Sequence, residues 1–419
     1  MKKCIVLDPG RRSRLSHSMQ KDSETTDINP MSRGVAQSGV RITNERAVLT
    51  LLALNPGASN ADVARLSGLG PQTTSRIVAE LESRALVIRG EVLRGRRGQP
   101  ATPLFLNPHG AVAIGIEVGW RHFEVLVIEM SGKTLASVRR SYAYPDASTL
   151  FSDIAAEVAT IRSGLTDVQR SRLAGIGVAS PSHIGRNIGL VEAPEEQAAL
   201  WRDIDLVERI AKDVDLPVHW YNDGNAACWS EVIAHAAPWP RGLAYFQVGT
   251  FVGGGLVANG ELWEGEGHAA NLGSILICDD EGNLTFVHLV ASIMALQHML
   301  TKAGMDVPTG SPFNWDWDAL EPVATQWLDK AGSALAKAII NTRAVIEVDE
   351  AIVDGIMPRD IVERLHERVV HHLHLLPSLT ADHPAVEMGR MGASAAARGA
   401  AQLILFQRFF SRAWKLFST

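Results

Sequence analysis

Cysteine is scarce in this chain, and long apolar runs are missing. Its 419 residues contain three cysteines, Cys4, Cys228 and Cys278, an odd and widely spaced set that suggests neither a disulfide framework nor a paired-cysteine metal motif. A reduced, cytoplasmic setting fits. No stretch is apolar enough for long enough to span a bilayer. Lys2 and Lys3 precede only Cys4-Ile5-Val6-Leu7 before Asp8-Pro9-Gly10 interrupts, too little for a secretory leader. Residues 1–38 have no periodicity and are rich in Ser, Arg, Asp and Met, so a flexible tail is expected there. The whole chain has 46% hydrophobic and 21% charged residues, the balance of a soluble globular protein, and enough length for two or three folded units.

Charge is unevenly placed. Residues 1–110 hold 16 Lys and Arg against 9 Asp and Glu, while the remaining 309 hold 24 against 37. The net −6 therefore hides a basic front of +7 and an acidic bulk of −13. Such a front can approach a polyanion while the rest of the molecule stays clear of it.

Within the basic front, residues 39–106 read as a winged helix-turn-helix. Val48, Leu51, Leu52 and Leu54 form an apolar stripe on a helix starting near Thr43 and stopped by Asn55-Pro56-Gly57. Ser59 is placed to cap a second helix by accepting the backbone N–H of Asp62, with Ala61, Ala64 and Leu66 as its packing residues. Ser67-Gly68-Leu69-Gly70 makes a turn, and Pro71 suits the first position of a third helix. Ile77, Val78 and Leu81 then mark the core face. Gln72, Thr73, Thr74, Ser75 and Arg76 lie at the end that a recognition helix points at base edges. A hairpin follows, with Arg94, Arg96 and Arg97 at a glycine-bounded tip suited to the backbone or a narrow minor groove. A plain helical hairpin with a solvated basic loop is the simpler alternative, and the charge asymmetry argues against it.

After a joint at Asn107-Pro108-His109-Gly110 the character changes. Apolar segments at 113–119, 124–129, 174–179, 218–221 and 243–248 read as strands, with helices near 148–162, 203–214 and after Asn222. This alternation predicts an α/β fold. Glycine clusters directly after strands, as in Gly249-Thr250-Phe251-Val252-Gly253-Gly254-Gly255, are where such folds let backbone approach a ligand.

Those glycines, with Asn259-Gly260, Gly265, Gly273 and Asn222-Asp223-Gly224-Asn225-Ala226-Ala227, resemble the signature of the ROK family of sugar kinases and sugar-responsive repressors. Gly389-Arg390-Met391-Gly392-Ala393-Ser394-Ala395 resembles the family's closing segment, and the wing Gly95-Arg96-Arg97-Gly98-Gln99-Pro100 is similar to that of the repressor branch. The resemblance covers residues 42–402. It implies that residues 107–419 form a pair of actin-like lobes, one of about 111–222 plus the C-terminal helix and one of about 223–400, with a sugar cleft between them.

The resemblance also implies what this chain lacks. Glu117-Val118-Gly119-Trp120-Arg121-His122 stands where family kinases offer an Asp, glycines and a Thr to phosphate, and Trp120 and Arg121 fill that cradle. Asp354-Gly355 replaces a glycine pair near the adenine site and adds negative charge where a nucleotide would lie. Asp223 matches the catalytic base, but a base without a bound phosphoryl donor transfers nothing. Ser274 stands at a zinc-binding His, and Cys278 is the only thiol nearby, a small core residue on this reading. No metal and no other cofactor is expected. The effector set becomes Asn222, Asp223, Asn271, Ser274 and His288, with Asn271 and His288 at two family Glu positions. Ser180-Pro181-Ser182 is a further candidate for the cleft wall.

The expected protein is thus a non-enzymatic regulator, more a repressor than an activator, that binds double-stranded operator DNA as a homodimer or homotetramer and answers to a carbohydrate. It would sit in the cytoplasm, on the nucleoid when bound. A ROK sugar kinase with a fused DNA-binding arm is the alternative. Leu403 to Phe417 reads as one apolar and basic C-terminal helix, packed back on its own domain, used in oligomer contact or laid on a membrane surface.

Overall fold

The computed structural model describes residues 37–91, 102–235, 240–265, 270–378 and 382–411. The tail expected over 1–38 falls almost wholly outside them. So do the wing tip, with Arg94, Arg96 and Arg97, and the chain beyond Ser411. Residues from Ile42 onward form one compact unit.

The first three helices are α1 (Gln37–Leu54), α2 (Asn60–Ser67) and α3 (Pro71–Ser83). Val48, Leu49, Leu51 and Leu52 of α1 are buried against Val63, Ile77, Val78 and Leu81. Ser59 and Asp62 form a reciprocal capping box, with Asp62 N donating to Ser59 Oγ at 3.2 Å and Ser59 N to Asp62 Oδ2 at 3.1 Å. Gly68 ends α2 at φ +69°, a left-handed conformation that glycine adopts without strain. Of the packing residues expected on α2, Ala64 is buried, together with Val63, whereas Ala61 and Leu66 are exposed, because the helix phase puts positions 63 and 64 against α1 and α3. Strands β1 (Val87–Arg89) and β2 (Leu104–Leu106) pair antiparallel with Val87 opposite Leu106, forming the stem of the hairpin. Arg89 fastens the stem to α3 through two bonds to Glu82, at 2.6 and 2.8 Å.

The joint at 107–110 is firmly tied. Asn107 Nδ2 donates to Ala85 O at 2.7 Å, and Met130 N donates to Pro108 O at 3.0 Å. Beyond it β3 (Val112–Val118), β4 (His122–Glu129) and β5 (Thr134–Ser141) form an antiparallel meander. Helices α4 (Leu150–Gly164) and α5 (Asp167–Ser171) lead to β6 (Leu173–Ser180), which runs parallel to β3. Short helices α6 (Ile184–Asn187), α7 (Glu195–Arg202) and α8 (Leu206–Ala211) precede β7 (Val218–Asn222). The sheet order is β5-β4-β3-β6-β7. Every residue of β3 is buried, as expected for a strand covered on both faces.

Helix α9 (Asp223–Ala234) leads into a second sheet of the same design. Its meander is β8 (Leu243–Val248), β9 (Val252–Ala258) and β10 (Glu261–Leu262). A separate hairpin of β11 (Leu276–Cys278) and β12 (Leu284–Phe286) follows, then α10 (His288–Ala291), α11 (Ile293–Lys302) and α12 (Val323–Arg343). Strand β13 (Glu350–Gly355), α13 (Arg359–Leu375) and β14 (Ala385–Met388) complete the order β10-β9-β8-β13-β14. The glycine run after Gly249, read as a ligand-approach loop, is largely strand: Val252 to Val257 pair with β8.

The last described helix, α14 (Ala395–Phe409), starts eight residues before Leu403 and lies on the first sheet and on α9. Glycines make that seat possible. A Cβ on Gly115 would lie 1.9 Å from Ala397 O, and one on Gly399 would lie 1.7 Å from Ala226 O. Leu403, Ile404 and Leu405 are buried, so the described part of this helix is packed on its own domain.

Candidate functional site

Two places carry the chemistry. On α3, Gln72, Ser75 and Arg76 are exposed and Thr73 is half-buried. Thr74 must be removed from the base-facing set: it is fully buried, with its hydroxyl bonded to Gly70 O at 3.2 Å. The reason is helical phase, since positions 74, 77, 78 and 81 share one face. Asn60 of α2 reaches Ser75 Oγ at 3.4 Å across the turn.

The second place is a cavity of about 480 Å³ between the C-terminal ends of the two sheets. It is lined by all five residues expected at an effector: Asn222, Asp223, Asn271, Ser274 and His288. Asn222 both caps and faces the cleft. Its Oδ1 accepts Asn225 N at 3.2 Å, while Nδ2 donates to Ser182 Oγ and to Asp223 Oδ1, each at 3.2 Å. Capping and ligand contact are therefore compatible at this residue. Pro181 and Ser182 do reach the cavity, whereas Ser180 is buried and accepts Trp220 Nε1 at 2.8 Å.

Burial, with the Glu117 charge adding to it, raises the Asp223 carboxyl to about 6. Bonds from Gly224 N and Asn222 oppose that rise. His288 is pushed down to about 4 by burial and is therefore neutral at neutral pH. Its Nδ1 accepts Val252 N at 3.2 Å, so Nε2 carries the proton and points at Ser274 Oγ, 3.3 Å away. A carboxylate, two carboxamides, a hydroxyl and an imidazole N–H thus converge, a set suited to a polyhydroxylated ligand.

Sequence reasoning missed two features of this cavity. Glu117 and His122 face each other at 3.3 Å. Burial would raise the Glu117 carboxyl, but His122, with Arg139 further off, outweighs burial and holds it low. Trp120 and Phe251 meet edge to face with ring centroids 5.1 Å apart, and Phe251 also abuts His288 at 5.8 Å. The signal for Trp120 was present as a bulky residue in a phosphate-type turn. Its contact with a residue 131 positions away was not legible.

Two expectations need correction. Asp354 does not project into a nucleotide space; it is 1% exposed and accepts Gly355 N and Gly392 N, each at 2.8 Å. It pins the loop before α14, beside Glu231, whose Oε1 accepts Arg390 N at 2.8 Å and Met391 N at 2.7 Å. Burial raises both carboxyls; the Asp354 charge adds to the rise at Glu231, whereas a hydrogen bond with Glu231 opposes the rise at Asp354. Cys278 is not a core residue: it is exposed on the outer face of the β11–β12 hairpin, opposite Leu284, whereas Cys228 is the buried one. The zinc site of the resemblance does not fit these residues. His288 is committed to Val252 and Ser274 while Cys278 faces outward, and among the described residues no group of three His, Cys, Asp or Glu is placed to hold a metal. Among them, too, no helix is long and apolar enough to cross a membrane.

The fold and these two sites define the class: a helix-turn-helix DNA-binding module joined to a two-lobed, actin-like domain. Residues 113–407 match the model of the ROK family, and residues 43–84 match that of a winged helix-turn-helix DNA-binding domain. The chain belongs to the ROK family. It is 29% identical over 374 residues to the uncharacterized protein y4fQ of Sinorhizobium fredii, covering 88% of this chain and 92% of that one. It is 27% identical over 246 residues to the xylose repressor of Bacillus spizizenii, covering 58% of this chain and 62% of the repressor. Glucokinases match as well. A crystal structure of a ROK family transcriptional regulator, described as a homolog of the E. coli MLC protein, superposes with a TM-score of 0.67 at 20% identity, covering 91% of this chain and all of that one.

Proposed function

We propose that this protein is a transcriptional repressor that binds operator DNA as a symmetric oligomer and senses a carbohydrate in its cleft without phosphorylating it. The observation that carries the reading is the crossing of Trp120 and Phe251. The two rings stand 5.1 Å apart at the turns that end the first strand of each sheet, where a kinase of this fold would bring backbone N–H groups to phosphate. The polar side of the cleft still presents hydrogen-bonding groups, with Asn271 and His288 in place of two carboxylates, so on this reading it recognises a ligand without binding a phosphoryl donor.

A physical route joins cleft and DNA module. Asn222 and Asp223 stand at the start of α9, and α9 is packed backbone-close on α14 through Gly399 and Ala226. Just past α14, Ser411 N donates to Thr50 Oγ1 on α1 at 2.9 Å. A ligand that shifts the lobes moves α14 and with it the support of the helix-turn-helix. Coupling of about 1–3 kcal/mol is enough to alter operator occupancy several-fold or more. A two-fold assembly supplies two half-site readers.

The test pairs two measurements on the full chain: retention of duplexes from its own locus with and without a panel of sugars, and ATP consumption with the same panel. DNA binding relieved by one sugar, with no ATP consumption, is expected. ATP consumption with a hexose and no duplex binding would establish the kinase instead.

A further inference from the structure

A second cavity, of about 830 Å³, lies in the first lobe beside the cleft and is bounded by the 181–183 loop, α6, α7, the start of α8, and Trp220 of β7. We propose that it binds a small phosphate monoester carrying a ring, independently of the sugar reading. Its position follows from a close helix crossing. A Cβ on Gly185 would lie 2.8 Å from the Cβ of Trp201, so α6 and α7 touch there. The next residue on each, Arg186 and Arg202, then reaches the same cavity.

Both arginines are exposed, and neither has an ion-pair or hydrogen-bond partner among the described residues. The one acidic residue of the wall, Asp205, is engaged at the start of α8, where Oδ1 accepts Glu208 N at 3.0 Å. Two free guanidinium groups against one occupied carboxylate is a local excess of positive charge within a region of net −13. Paired guanidinium forks match the oxygens of a phosphate dianion better than a single point charge does.

The other wall is apolar. The indole of Trp220 is held by its Nε1–H to Ser180 Oγ at 2.8 Å, and Ile204, Leu206 and Val207 continue the surface. Such a wall suits a ring. Pro181, Ser182 and His183 line both cavities, and Ser182 Oγ accepts Asn222 Nδ2, so an occupant here touches the loop that orients the sugar-facing amide.

Calorimetric titration of the full chain with phenyl phosphate and with inorganic phosphate at low salt tests the site. Phenyl phosphate is expected to bind at least about tenfold more tightly than inorganic phosphate, roughly the effect of burying one ring edge. Arg186→Ala with Arg202→Ala should weaken phenyl phosphate at least about tenfold, while Asp223→Asn leaves it unchanged. Trp220→Leu should remove the preference for phenyl over inorganic phosphate. Absence of saturable phenyl phosphate binding, or binding unaltered in the double arginine variant, overturns the proposal. If Trp220→Leu does not fold, the exposed arginines still decide. A loss of sugar response in Asp223→Asn with phenyl phosphate binding retained separates this site from the cleft.

Discussion

The two sheets share one strand order, yet the turns that close their first hairpins are built differently. In the first, Gly119-Trp120-Arg121 is held rigid by Tyr142, whose hydroxyl contacts Gly119 O at 2.7 Å and His122 O at 2.6 Å. In the second, Gly249-Thr250-Phe251 closes through Gly249 N to Phe251 O at 2.9 Å, and Ile293 N also reaches Gly249 O at 2.9 Å. Each turn contributes one aromatic, and the two rings meet across the cleft. One strand order therefore carries different side chains at its two equivalent turns, and on the proposed reading the crossing of Trp120 and Phe251 is what keeps phosphate away.

The largest effect is expected where backbone meets backbone. Gly399→Ala would place a Cβ 1.7 Å from Ala226 O, and Gly224→Ala one 2.1 Å from Gly254 O. Each should lower unfolding free energy by about 3 kcal/mol or more in urea titrations. Gly189→Ala, with open space around it, should cost less than about 1 kcal/mol. Equal losses at all three would break the account of how α9 and α14 are seated.

Next in size is the cleft. Asp223→Ala should abolish sugar-driven release of DNA while duplex affinity stays within about twofold. With a carboxyl raised to about 6, sugar affinity should rise as pH increases through 6, because the ionised form accepts hydroxyl donors. The folded state, in contrast, loses the stability tied to the raised pKa over the same interval. Asp223→Asn should flatten both dependences, as read by calorimetry and by thermal melts across pH 5–8.

A smaller effect is expected at the aromatic pair. Trp120→Ala should lose about 0.5–1.5 kcal/mol of ring contact beyond its area and still consume no ATP, because Phe251 continues to occupy the opposite turn. Smallest is Thr50→Val, which removes one acceptor of Ser411 N. About 1 kcal/mol of stability, with a weaker sugar effect on DNA affinity, is the expected outcome in anisotropy titrations.

Much of this was legible in local sequence. The cap at Ser59, Pro71 at a helix start and the apolar runs of β3, β4, β6 and β8 depend on neighbours a few residues away. The convergence of Asn222, Asp223, Asn271, Ser274 and His288 on one cavity is tertiary, and it was the family resemblance that placed them together. What escaped reading depends on tertiary partners. Asp354 looked like a charge in a ligand space because the backbone N–H of Gly392, 38 positions later, is invisible in sequence. Cys278 looked like core because nothing in its segment reveals that one face of the hairpin is left bare. Thr74 is different: its phase with Ile77, Val78 and Leu81 was readable, and its polarity concealed it.

The most direct trial of the sensing claim is an anisotropy titration of a labelled duplex from the protein's own locus, with sugar added to wild type and to Asp223→Ala. Release of DNA by sugar in the wild type alone is the predicted result. Equal release from both proteins, or no duplex binding by either, would contradict it.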